Sequence, residues 1–216
     1  DIDDPKTSGN MDRSDMKKHL QHLPDQCRNA WNEAMEYPLP AEYRTARNVV
    51  ILGMGGSAIG AELLKSLFMG TSKSVITGHR DYELPGHVDA NTLVIASSYS
   101  GNTEETISGF TRALESKCLK LAITTGGKLG SLAQSRGIPV IPIRYKSPPR
   151  AALGYSVFPL LAVLHGMGLT NGVSNDVEET LALLAAMRKG LDEDCPRTQN
   201  IAKSLALKIH GHLPVI

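Results

Sequence analysis

The texture of the chain changes near residue 46. Before it, Met16, Leu20, Leu23, Cys27, Trp31 and Met35 recur at helical spacing over residues 12–35, with a break at Pro24, and "YPLP" (37–40) ends the segment. After it come short runs rich in Val and Ile: "NVVILG" (48–53), "SVIT" (74–77), "TLVIA" (92–96), "KLAIT" (120–124) and "PVIPI" (139–143). Stretches with helical spacing lie between them at 57–69, 103–116 and 128–136, and loops fall near 78–91 and 144–149. Runs that are apolar on both faces and alternate with helices describe a parallel sheet covered on each side. The pattern predicts an α/β fold, a three-layer α/β/α domain over 46–168 with a five-stranded parallel sheet, preceded by an N-terminal helical segment (1–45).

"AALGYSVFPLLAVLHGMG" (151–168) predicts an apolar helix, in the core or at an interface, interrupted near Pro159. Helical patterns follow at 174–190 and 196–210, inside a connecting region spanning 169–211. "LPVI" (213–216) reads as a fresh strand, so 212–216 is expected to begin a second domain that continues beyond it. The polar opening, residues 1–10, is expected to be a loose terminus, and the lack of an initiator Met suggests a trimmed or processed chain.

Composition changes the picture only by exclusion. At 216 residues, 41% hydrophobic and 21% charged, the chain can bury a core and is unlike a disordered one. A net charge of +1 marks neither a nucleic-acid binder nor a membrane-surface protein, so an anionic ligand must be held by a local site. No apolar stretch approaches the ~20 residues that cross a bilayer, and the opening does not read as a signal peptide. Cys27, Cys118 and Cys195 are scattered, odd in number and without metal spacing, which predicts reduced thiols in a cytoplasmic protein. No metal or cofactor is expected.

The candidate chemistry sits in two loops. "ILGMGGSAIGAELL" (51–64) places Gly53, Gly55, Gly56 and Gly60 at a strand-to-helix junction, where backbone N–H groups and a helix N-terminus can approach an anion, with Ser57 to cap or donate. Gly53, Gly55 and Ala58 also fit G-x-G-x-x-A, but the acid a dinucleotide site needs about 20 residues on is displaced to Asp81, behind His79 and Arg80. "ASSYSGNTEET" (96–106) crowds hydroxyls around the start of a helix predicted to follow a strand ending near Ala96. Asn102 with Glu105 fits a capping box; Ser98, Ser100 and Thr103 exceed what capping requires and could converge on a phosphate. Both loops would lie beyond the carboxyl ends of the strands, where open parallel sheets bind ligands.

The combination of "GMGGSAIG" and "SSYSGNTEET" resembles the SIS (sugar isomerase) domain. With "DYELP" (81–85), "GGKLGSLA" (126–133) and "PPRAALGYSVFPLL" (148–161), the chain from about Asp12 onward is similar to the bifunctional phosphoglucose/phosphomannose isomerase family. The resemblance implies that Gly55, Gly56 and Ser57 contact a sugar, that Ser98, Ser100 and Thr103 hold its phosphate, and that Arg150 faces the reacting carbons. It implies interconversion of glucose 6-phosphate and mannose 6-phosphate with fructose 6-phosphate through a cis-enediol(ate), by a cytoplasmic homodimer. It also implies that the glutamate base, a histidine and a lysine belong to a second SIS domain, so these 216 residues alone are expected to bind but not isomerise. His210 and His212 match no family motif. A sugar-phosphate-sensing module and a nucleotide-cofactor enzyme are the competing readings.

Overall fold

Each Val- and Ile-rich run is a strand: β1 (Asn48–Leu52), β2 (Val75–His79), β3 (Thr92–Ser98), β4 (Leu119–Thr124) and β5 (Val140–Pro142). The computed structural model describes residues 2–3, 12–72, 74–170 and 172–215, and in it all these strands pair in parallel in the order β2-β1-β3-β4-β5. Helices, numbered along the chain, are α1 (Met16–Gln21), α2 (Leu23–Met35), α3 (Gly55–Phe68), α4 (Glu104–Glu115), α5 (Gly127–Ser135), α6 (Leu153–Gly166), α7 (Val173–Leu191) and α8 (Ile201–Ile209). Residues 25–173 form one compact unit; residues 1–24 with 174–216 form another.

In the unit 25–173 the chain winds outward from β1 in two directions. The connection β1–α3–β2 runs to one edge, and β3–α4–β4–α5–β5 runs to the other. Right-handed crossovers in opposite directions put their helices on opposite faces, giving the three expected layers. Val50, Leu52, Val94 and Ala96 pack with Phe110 and Ala113 of α4 and Leu129 and Ala133 of α5. Their alternates Val49, Ile51, Leu93 and Ile95 are equally buried. On one side of the sheet α3 and α6 approach so closely that a Cβ on Gly60 would stand 2.0 Å from the Ser156 carbonyl oxygen.

Two local expectations are corrected, and a third holds. The helix over 151–168 is not interrupted at Pro159, because α6 runs unbroken from Leu153 to Gly166 with Tyr155, Phe158, Leu160, Val163 and Leu164 buried around it. That burial outweighs the roughly 3 kcal/mol a mid-helix proline costs. Pro24, by contrast, does lie at a break: α1 ends at Gln21, and Pro24 takes the second position of α2, where an N–H would be unpaired in any case. β3 extends to Ser98 rather than stopping near Ala96, since Ser97 and Ser98 pair with Ile123 and Thr124.

In the unit formed by residues 1–24 and 174–216, Asn200 caps α8 by accepting from the Lys203 N–H at 3.1 Å, which starts that helix later than the pattern at 196–210 suggests. The strand expected at 213–216 is not found: residues 213–215 are irregular, with Leu213 89% and Val215 91% exposed and no neighbouring strand to pair with among the described residues. Ile216 lies outside the described residues, as does most of the terminus expected over 1–10. All three cysteines are free. Among the described residues no helix is long and apolar enough to cross a membrane.

Candidate functional site

The two loops singled out in the sequence meet between β1 and β3, where the winding of the chain along the sheet reverses. Leu52 pairs with Ala96, so β3 outruns β1 by the length of Ser97 and Ser98, and the loops after each strand flank the step. A cavity of about 270 Å³ opens there. Gly55, Gly56, Ser57, Ser100 and Thr103 line it, together with Met54, Ser97, Tyr99, Tyr155 and Ser156. It is bounded by the N-termini of α3 and α4, whose leading N–H groups and dipoles favour an anion.

Local chemistry explains the shape. Gly55 begins α3 at φ 52°, a left-handed conformation glycine adopts freely. The Ser156 hydroxyl donates to the Gly56 carbonyl at 2.7 Å and accepts from the Gly60 N–H at 3.1 Å. Those two backbone groups are four residues apart, so the hydroxyl bridges the first turn of α3 and pins the glycine loop to α6. On the other loop Gly101, at φ 66°, receives two contacts on its N–H: the carbonyl and the hydroxyl of Ser98, both at 3.2 Å.

The hydroxyls are organised as donors. Ser57 Oγ accepts from the Tyr99 N–H and Ser100 Oγ from the Asn102 N–H, each at 3.2 Å. A hydroxyl that accepts a backbone N–H keeps its own proton to give. Thr103, half-buried, shares a 3.0 Å hydrogen bond with Ser98. Ser98 itself does not line the cavity; it is 1% exposed and holds the loop from beneath. Glu104 and Glu105 follow in the first turn of α4, and no lysine, arginine, histidine or carboxylate is among the lining residues.

Asn102 does not form the expected capping box with Glu105. The residue preceding α4 is Thr103, and Asn102 Oδ1 instead accepts from the Lys128 N–H at 3.1 Å, capping the neighbouring helix α5. The Gly101 carbonyl accepts from Leu129 N–H at 2.9 Å, so the hydroxyl loop and the start of α5 are one hydrogen-bonded assembly.

Arg150 lies on a short 3-10 turn (Pro149–Ala151) between two cavity-lining residues, Pro149 and Ala152; its own side chain is exposed and is not part of the lining. Gln26, 2% exposed, fixes that turn: its Nε2 donates to the Ala151 carbonyl at 2.8 Å and its Oε1 accepts from the Gly154 N–H at 2.6 Å. Replacing Gln26 with leucine leaves both backbone groups buried and unpaired, and is expected to destabilise the unit by about 2–4 kcal/mol in urea unfolding. A loss below about 0.5 kcal/mol would mean the amide is not what holds the turn.

Tyr99, Tyr155 and Ser156 escaped the sequence reading. Tyr155 and Ser156 stand in an otherwise apolar helical run, and polar groups in such a run are the signal that something specific occupies them. Tyr155 donates to Glu33 Oε1 at 3.1 Å, and burial, with that carboxylate beside it, pushes its phenol well above the usual range.

A family model for the SIS domain matches residues 42–144. The chain is 42% identical over 201 residues to the bifunctional phosphoglucose/phosphomannose isomerase of Caldicellulosiruptor bescii, covering 93% of this chain and 59% of that one. It is 33% identical over 174 residues to the protein of the same name from Thermoplasma acidophilum, covering 80% and 50%. The chain thus spans between half and three-fifths of the length of these relatives. A crystal structure of a hypothetical protein of Thermus thermophilus shares the fold, with a TM-score of 0.63 at 21% identity over 95% of this chain and 50% of that one.

Proposed function

Because this chain carries an SIS domain and belongs to the family of the bifunctional phosphoglucose/phosphomannose isomerases, we propose that it serves the aldose–ketose isomerisation of hexose 6-phosphates, interconverting glucose 6-phosphate and mannose 6-phosphate with fructose 6-phosphate. The observation that carries this reading is the convergence of Gly55, Gly56, Ser57, Ser100 and Thr103 on one cavity at two helix N-termini. Ser100, Thr103 and the adjoining N–H groups hold the phosphate. Each hydrogen bond to the dianion contributes roughly 1.5–3 kcal/mol and each helix terminus about 0.3–1, enough for micromolar binding without a lysine. The glycine loop and Ser57 take the sugar hydroxyls.

The reaction moves a proton between C1 and C2 through a cis-enediol(ate), whose oxygens gather negative charge. Arg150, on the turn beside the cavity, is the guanidinium suited to that charge, since it stays cationic and donates no proton. A base is also required, and no lining residue offers a carboxylate or imidazole. In this reading the base comes from the part of the relatives' length that these residues do not span, and the assembled enzyme is a cytoplasmic homodimer.

The same lining is what a sugar-phosphate-sensing module would need, which keeps that second reading in play. Fructose 6-phosphate is expected to raise the thermal midpoint of the 216-residue chain by several degrees at millimolar concentration, with NAD and NADP leaving it unchanged. A coupled assay on the same chain should detect no turnover. Stabilisation by a dinucleotide but not by the sugar phosphate would overturn the reading.

A further inference from the structure

Tyr99 joins the hydroxyl loop to three other parts of the chain: the glycine loop, Thr125 and the segment after β5. Its N–H donates to Ser57 Oγ at 3.2 Å, and its carbonyl accepts from Thr125 Oγ1 at 2.7 Å and Thr125 N–H at 3.2 Å. The residue lines the cavity, and its hydroxyl reaches the segment after β5. There it stands 2.8 Å from the Tyr145 carbonyl and 2.9 Å from the Ser147 carbonyl, while accepting from the Ser147 N–H at 2.8 Å.

That segment has no regular structure between Ile143 and Pro148, and it leads directly into the turn that bears Arg150. Its other anchor is aromatic: the Tyr145 ring stacks on Tyr155 with centroids 5.6 Å apart and planes 15° from parallel. The segment is therefore held at a phenol that belongs to the phosphate loop, three residues before Arg150. We propose that Tyr99 is a positioning residue whose hydroxyl sets where Arg150 stands relative to the phosphate loop. This rests on the hexose-phosphate reading above. A shift of about 1 Å in a charge-stabilising group is costly to catalysis, so a phenol spanning the two elements has a measurable job.

The test needs no turnover. D-glucitol 6-phosphate probes the phosphate grip alone, and 5-phospho-D-arabinonate adds a planar carboxylate that mimics the charge of the enediolate. Tyr99→Phe keeps the ring and removes the clamp. It is expected to weaken the arabinonate ligand about tenfold and the glucitol ligand less than about twofold, measured by calorimetry. In an Arg150→Ala background, Tyr99→Phe should change neither affinity further. Equal losses for both ligands, or a tenfold loss that persists without Arg150, would overturn the proposal while leaving the sugar-phosphate site intact. If Tyr99→Phe does not fold, Tyr99→Met, which also removes the hydroxyl, must give the same split between ligands or the proposal fails. Absence of binding to the parent chain would instead remove the hexose-phosphate reading, and this inference with it.

Discussion

Gly101→Ala is expected to lower stability by about 2–5 kcal/mol and to abolish measurable fructose 6-phosphate binding. A left-handed residue with a Cβ costs about 1–2 kcal/mol, and forced overpacking about 1–3 more. The added Cβ would stand 1.9 Å from the Gly126 carbonyl oxygen and 2.7 Å from Thr124 Oγ1. The nearest neighbour is backbone, so relief requires separating the hydroxyl loop from the start of α5, which Gly101 and Asn102 otherwise bond together. Gly137→Ala supplies the control: φ is nearly the same at 65°, but nothing lies within 4 Å of the new Cβ. It should cost only the conformational part, about 1–2 kcal/mol, with binding unchanged. Equal urea midpoints for the two variants would remove the steric argument.

The second large effect is on affinity with little on stability. Ser100→Ala combined with Thr103→Val removes the hydroxyls of two residues that line the cavity, and is expected to weaken fructose 6-phosphate by about 3–6 kcal/mol, roughly a hundredfold to ten-thousandfold. The unfolding midpoint should move little, because Ser100 is exposed and Ser98 Oγ still accepts from the Gly101 N–H. Ser98→Ala should behave the opposite way. It takes a buried bridge from beneath the loop, lowering stability by about 1–2 kcal/mol while costing less affinity than the double variant. A double variant that binds within about threefold of the parent would show that the phosphate is not held at these hydroxyls.

The sheet was legible because its strands are buried on both faces, and the run of Val and Ile at 48–52 and 92–95 leaves little choice of element. What the pattern did not carry was local competition. Ser97 and Ser98 look like loop residues by type, yet β4 offers them partners and the strand absorbs them. Asn102 fits a cap for its own helix, yet an N–H on α5 lies within reach and takes it. Pro159 signals a break, yet the packing around α6 overrides it. The apolar run at 213–216 reads as a strand, but a strand exists only against a neighbour, and Leu213 and Val215 have none among the described residues. Of the residues lining the cavity, Gly55, Gly56, Ser57, Ser100 and Thr103 lie in the two loops that residue type and spacing singled out, while Ser98 and Arg150, named with them in the sequence, do not line it. Tyr99 and Ser156 were not readable that way, because their work is to hold other groups across long sequence separations.

The central claim is that uncharged hydroxyls and amides at two converging turns grip a sugar phosphate. Mapping amide shifts of the isotope-labelled chain while titrating fructose 6-phosphate tests it most directly. The predicted result is saturable change confined to the amides of residues 55–57 and 99–104, with that of Ser147 following through the Tyr99 hydroxyl. Saturable change centred on the separate hollow beside Arg44, lined by Tyr37, Leu39 and Tyr43, with the 55–57 and 99–104 amides still, would contradict it.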